Sequence, residues 1–197
     1  MLLYSFCHVV ARLLLPVVLD VRVTGAENVP RSGPVLLVSN HRSYTDPVVL
    51  GAACPRPVRY LGKSELFEHG RLFKGLIRAL GCVSIRRDGH ASSTVRRAEA
   101  LLGRGEVVGL FPEGGIHTTG DLKGGAALIA ARTGAPVVPV HLSGTRGMYD
   151  PEAYVLRARP VRVEFGKSFH PHDVGDPSKP KEHREHVLAA IRTHIVR

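Results

Sequence analysis

Short unbroken apolar runs alternate along this chain with longer stretches in which apolar residues recur at helical spacing. Pro34-Val35-Leu36-Leu37-Val38, Gly81-Cys82-Val83-Ser84-Ile85, residues 106–110 and Val137-Val138-Pro139-Val140-His141-Leu142 are of the first kind and predict strands, buried in the first and third cases. Val21-Arg22-Val23-Thr24-Gly25, Arg59-Tyr60-Leu61 and the alternating Val161-Arg162-Val163-Glu164-Phe165 predict three more. Pro139 predicts that one edge of its strand is unpaired, since proline cannot donate to a ladder. Helices are predicted over residues 48–53, 66–80, 92–102, 123–133 and 181–196. The third carries Val95, Ala98, Leu101 and Leu102 on one side, the fourth is closed by Gly134, and the last turns Val187, Leu188, Ile191 and Ile195 inward. On that last helix His183 and His186 are expected on a solvated face rather than at a metal, because no third ligand is near. The alternation of strand and helix implies an α/β fold: a single domain with a mixed, mostly parallel sheet flanked by helices.

Residues 1–19 stand apart. They are nearly all apolar, broken by His8, Arg12 and Pro16. A spanning helix needs about 20 apolar residues, and this run carries a cation in its middle. Leu2, Phe6, Val9, Leu13 and Val17 recur at helical spacing, which predicts an amphipathic N-terminal helix in or on the bilayer interface. A helix packed on the protein's own core satisfies the same spacing. There is no basic leader and no small-residue cleavage site of the kind a signal peptide needs. The chain therefore divides into an apolar N-terminal helix over residues 1–20 and an α/β domain over residues 21–197.

Charge narrows the partners. The 27 Lys and Arg outweigh 17 Asp and Glu by 10, so an anionic partner is expected. The cations are scattered, Trp is absent, and no nucleic-acid-binding module is visible. An anionic membrane surface or a phosphate ester is favoured over nucleic acid. Cys7, Cys54 and Cys82 are odd in number and widely spaced, which gives neither a disulfide framework nor a metal spacing. A reducing, cytoplasmic setting fits, and Cys82 is expected in the core.

The chemistry concentrates in Ser39-Asn40-His41-Arg42-Ser43-Tyr44-Thr45-Asp46-Pro47, between a buried strand and a helix. Pro47 suits the first helical position and Asp46 the N-cap. A turn between His41 and Asp46 lets the carboxylate fold back onto the imidazole. A His held by an Asp is the base-and-orienter half of a Ser-His-Asp triad, the nucleophile being supplied by something else. A loop histidine beside a capping aspartate is the plainer alternative. Polar loops also follow the strands ending before Arg86-Arg87 and before Phe111-Pro112-Glu113-Gly114-Gly115. Ligands of open α/β sheets bind beyond the carboxyl ends of strands, so these three loops are candidates for one pocket. In it Arg87 and Lys123 are suited to hold a phosphate.

Asn40-His41-x-x-x-x-Asp46, Gly81-x-x-x-Ile85-x-Arg87, Phe111-Pro112-Glu113-Gly114 and Val138-Pro139-Val140 stand in an order and spacing that resembles the glycerolipid acyltransferase family. This is the family of the bacterial 1-acylglycerol-3-phosphate acyltransferases. The resemblance covers nearly the whole chain, from the Val21 strand onward. It implies transfer of an acyl group from acyl-CoA or acyl-carrier protein to the free hydroxyl of a lysolipid, at the cytoplasmic face of the cell membrane. No cofactor is implied beyond the acyl thioester as co-substrate. By the same resemblance His41 is the base and Asp46 its orienter. Arg87 binds the acceptor phosphate, Glu113 and Gly114 position the acceptor, and Lys123 matches a basic position that commonly follows the third motif.

One departure bears on the substrate. The family usually continues Phe-Pro-Glu-Gly with Thr-Arg; this chain continues with Gly115-Ile116. Arg86 beside Arg87 is placed to compensate. Phosphatidic acid from 1-acylglycerol-3-phosphate remains the leading expectation. Another lysolipid, a hydroxylated or aminated secondary metabolite, and a non-catalytic lipid-binding protein on the same fold are the alternatives.

Overall fold

The computed structural model describes residues 20–68, 71–85, 92–113, 116, 122–150, 155–157 and 159–195. The N-terminal helix expected over residues 1–19 lies outside them. In chain order the elements are β1 (Val21–Thr24), β2 (Val35–Ser39), α1 (Asp46–Ala53), β3 (Val58–Lys63), α2 (Arg71–Ala79), β4 (Cys82–Ile85), α3 (Ser92–Leu102) and β5 (Val107–Leu110). They continue with α4 (Gly125–Thr133), β6 (Val137–Ser143), β7 (Tyr149–Asp150), β8 (Val155–Leu156), β9 (Val161–Phe165) and α5 (Pro180–Ile195).

Seven strands form one sheet in the order β1-β9-β6-β2-β5-β3-β4. β6, β2, β5, β3 and β4 run parallel; β9 is antiparallel to β6, and β1 is parallel to β9. The sheet is thus mixed and mostly parallel, as the pattern predicted. Parallel neighbours require helical crossovers, and these supply the cover on the faces.

β2 shows how the core is divided. Val35 and Leu37 pack with Val49, Leu50 and Ala53 of α1 on one face. Leu36 and Val38 pack on the other with Val95, Ala98 and Leu101 of α3, Ala126 and Ile129 of α4, and Val187 and Ile191 of α5. All five residues of β2 are buried, which is why its sequence reads as an unbroken apolar run rather than an alternation. β9 is buried at alternate positions instead. Cys82 is half-buried, and burial pushes its thiol up to about 11.

Three expectations are corrected. β6 has neighbours on both sides, β2 and β9. The proline is tolerated because β9 pairs with β6 only from Val140 opposite Phe165 onward, and the chain beyond it rejoins at Val137 opposite Phe169. Pro139 sits in that gap, where its carbonyl accepts from the Gly166 N–H at 2.8 Å and no donor is needed from it. The helix predicted over residues 66–80 divides into a 3-10 turn, Ser64–Phe67, and α2. His183 is buried, not solvated: its Nε2 lies 2.6 Å from the Pro171 carbonyl, while His186 remains exposed.

Among the described residues no helix is long and apolar enough to cross a membrane.

Candidate active site

β2 and β5 are adjacent, with Val38 opposite Leu110. The chain leaving β2 carries Asn40 and His41; the chain leaving β5 carries Phe111, Pro112 and Glu113. Strand order alone therefore brings the first and third motifs side by side at one carboxyl edge of the sheet, where an open α/β sheet binds its ligands.

The β2 loop is fixed at its root. The Asn40 side chain donates from Nδ2 to the Leu142 carbonyl at 2.8 Å, and its Oδ1 accepts the Leu142 N–H at 2.7 Å. The amide so prolongs the β2–β6 ladder past its last backbone pair, Ser39 opposite Val140. His41 follows at once.

Asp46 then turns back onto the loop. Its Oδ2 accepts from His41 Nδ1 at 2.9 Å, from the Arg42 N–H at 2.6 Å and from the Ser43 N–H at 2.7 Å. The carboxylate is fully buried, while the imidazole is 16% exposed. The sequence expectation of an N-cap at Asp46 is corrected here. Thr45 is the N-cap, Asp46 is the first helical residue and Pro47 the second, and no side chain caps the helix. The carboxylate is spent on the preceding turn and on the imidazole instead.

A carboxylate only accepts, so the proton on His41 belongs on Nδ1. Nε2 is left with a lone pair, which is the form a general base needs. The Phe111 ring stacks on the imidazole at 4.3 Å between centroids and 24° between planes. Tyr60 of β3 stacks on Phe111 in turn, at 6.1 Å and 12°. The ring of the base is thus held by a hydrogen bond at one nitrogen and by an aromatic face.

Glu113 is 1% exposed. Burial raises its carboxyl above the ordinary range; the Arg42 charge and the His41 backbone N–H pull the other way without cancelling that. Arg42 Nη2 lies 3.9 Å from Glu113 Oε1. Glu113 therefore meets the base through its backbone and the adjacent cation.

Of the sequence-predicted residues, His41, Asp46 and Glu113 are brought together. Lys123 is exposed, but its N–H donates to the Pro112 carbonyl at 2.9 Å, which returns its backbone to the Glu113 loop. Gly114 and Arg87 lie outside the described residues; β4, which precedes Arg87, ends at the same sheet edge. Sequence reasoning gave no roles to the Asn40 amide, the Phe111 ring, Tyr60 or Arg42. A buried-strand run ending in Asn was the available signal for the first. Among the described residues no group of three or more His, Cys, Asp or Glu is placed to hold a metal.

A sequence profile of the Acyltransferase family matches residues 20–143, a span that includes both loops. The chain belongs to the acyltransferase family and is an acyltransferase. It is 30% identical over 145 residues to the 1-acyl-sn-glycerol-3-phosphate acyltransferase of Bacillus subtilis, covering 72% of each chain. It is 32% identical over 165 residues to the enzyme of that name from Streptococcus pneumoniae, covering 82% of this chain and 59% of the relative's length. The fold matches the crystal structure of the 1-acyl-sn-glycerophosphate acyltransferase PlsC from Thermotoga maritima with a TM-score of 0.73 at 21% identity. That match covers 96% of this chain and 78% of the other.

Proposed function

We propose that this enzyme transfers a fatty acyl group from acyl-CoA or acyl-carrier protein to the free hydroxyl of 1-acylglycerol-3-phosphate, giving phosphatidic acid. It would work at the cytoplasmic face of the cell membrane. The observation that carries the reading is the contact of His41 Nδ1 with the buried Asp46 carboxylate, which in the neutral imidazole puts the lone pair on Nε2. The acceptor named comes from the names of the relatives in Bacillus subtilis and Streptococcus pneumoniae.

In this mechanism Nε2 takes the proton from the acceptor hydroxyl as its oxygen attacks the thioester carbonyl carbon. Asp46 stabilises the imidazolium that forms and keeps the ring in register. The tetrahedral adduct collapses, the C–S bond breaks, and the imidazolium returns the proton to the leaving thiolate. The acceptor is itself the nucleophile, so no covalent acyl-enzyme is needed.

One observation favours a second reading. Gly115-Ile116 stands where the family usually has Thr-Arg, which suits an acceptor with no phosphate. The test is thiol release by the purified full chain from acyl-CoA and from acyl-carrier protein, with 1-acylglycerol-3-phosphate as acceptor and mass spectrometry of the product. Phosphatidic acid is expected. Turnover of acceptors that carry no phosphate, without turnover of this one, would replace the first reading by the second.

A further inference from the structure

Arg42 is the residue next to the base, and two constraints fix where its side chain acts. Its own N–H is held at 2.6 Å by Asp46 Oδ2, the oxygen that also holds His41 Nδ1. Its guanidinium reaches across to the loop leaving β5, where Nη2 stops 3.9 Å from Glu113 Oε1. That distance is beyond a hydrogen bond, so the Glu113 contact orients the charge without engaging a donor. The side chain is 42% exposed, against 1% for the carboxylate that orients it. The cation is thus accessible to solvent and the anion is not.

The acceptor's geometry does the rest. Its hydroxyl must lie at His41 Nε2 to be deprotonated. In a glycerol phosphate the reacting hydroxyl and the phosphate ester are on neighbouring carbons, so the phosphate falls within the reach of a side chain rooted one residue from the base. A phosphate monoester offers several acceptor oxygens in the geometry that a guanidinium fork matches. We infer that Arg42 is a specificity-determining residue whose guanidinium, aimed by the buried Glu113 carboxylate, pairs with the phosphate monoester of the acceptor. This rests on the phosphate-acceptor reading above. It also gives the site a cation of its own where Ile116 replaces one.

Phosphate groups are carried by the CoA donor too, so the experiment separates the two sources. Steady-state kinetics would be measured on the full-length parent, Arg42→Gln and Arg42→Lys, with acyl-CoA as donor and either 1-acylglycerol-3-phosphate or unphosphorylated 1-acylglycerol as acceptor. Arg42→Gln is expected to raise KM for the phosphorylated acceptor by about tenfold or more, as loss of a charged hydrogen bond does, and KM for the donor less than twofold. Arg42→Lys, which keeps the charge and loses the fork, is expected to fall between. A KM rise confined to acyl-CoA would overturn the assignment, as would a fall in kcat of equal size with both acceptors and no change in KM, which marks a structural role. If Arg42→Gln does not fold, as judged by circular dichroism, the Arg42→Lys comparison decides by the same criteria. If the parent turns over neither acceptor, the function reading falls by itself. Calorimetric titration with sn-glycerol 3-phosphate then decides on Arg42: binding weakened about tenfold by Arg42→Gln supports it, and equal binding or none by the parent overturns it.

Discussion

Asn40 and Leu142 are joined as two strand residues would be, although only one of them contributes backbone. Both polar atoms of the Asn40 amide are used, at 2.8 and 2.7 Å, and the residue is buried. Replacing it by Ala leaves the N–H and the carbonyl of Leu142 without these partners, and each such loss costs about 1–3 kcal/mol. The base sits one residue beyond the clamp. Asn40→Ala is therefore expected to lower the unfolding free energy by about 2–4 kcal/mol and to lower kcat more than it raises either KM. Denaturant melts and steady-state kinetics check this; a variant with parental kcat would show that the loop holds its shape without the clamp.

The two members of the dyad make different predictions. His41→Ala removes the base, and general base catalysis is worth about 10²–10⁴-fold. Asp46→Asn keeps the shape and, with its amide oxygen in the place of Oδ2, the contacts with His41, Arg42 and Ser43, but it removes the charge. The neutral amide no longer stabilises the imidazolium that forms when the base takes the proton. Asp46→Asn is expected to lower kcat by about 10²–10⁴-fold. The double variant should be little worse than His41→Ala, because the aspartate acts through the imidazole. Multiplying effects in thiol-release assays would contradict that dependence.

Glu113 carries a cost that pH exposes. Burial holds its folded-state pKa above the unfolded one, so between the two values the folded protein keeps a proton that the unfolded chain has released. Stability accordingly falls as pH rises through that window, and the loss persists above it. Glu113→Gln cannot ionise and escapes the loss. Its melting temperature is expected to exceed the parent's at pH 8, with the gap closing below about pH 4.3, where the unfolded Glu is itself protonated. A variant less stable than the parent at pH 8 would mean that the contacts with Arg42 and the His41 backbone outweigh desolvation.

Much of this was legible because it is local. His41 and Asp46 are five positions apart, and a turn is enough to join them. The runs that became β2, β5 and β9 declare themselves by burial on two faces or one. What the sequence hid depends on partners far along the chain. Leu142 is 102 residues from Asn40, and Phe111 meets His41 only because β2 and β5 are neighbours. Pro139 signals an edge in the sequence because a strand's bulges are invisible until its neighbour is placed. Asp46 reads as a cap because a helix-opening aspartate normally serves its own helix; here the N–H groups of Arg42 and Ser43 lie closer to hand. His183 reads as solvated because its partner, the Pro171 carbonyl, belongs to a three-residue 3-10 turn too short to carry a periodic signal.

Gly109 is the least obtrusive support of the base. A Cβ there would lie 2.6 Å from Tyr60 Cε1 and 2.9 Å from both Tyr60 Cδ1 and Val58 Cγ1. The missing side chain is what lets the Tyr60 ring lie across β5 and stack on Phe111, which stacks on His41. Two effects compete in Gly109→Ala. Its backbone is in an ordinary region, so alanine gains about 0.4–1 kcal/mol by restricting the unfolded chain. Overpacking a fitted core costs about 1–3 kcal/mol, and here the clash is with a ring and a β-branched side chain rather than a flexible tip. The clash should win, with a net loss of about 1–2 kcal/mol and a lower kcat as Phe111 is pushed against the imidazole. Adding Tyr60→Leu removes the ring that Ala collides with, so the double variant should be more stable than the sum of the two single changes by about 1 kcal/mol. Additive single effects in a denaturant-melt cycle would show that Gly109 and Tyr60 do not act together.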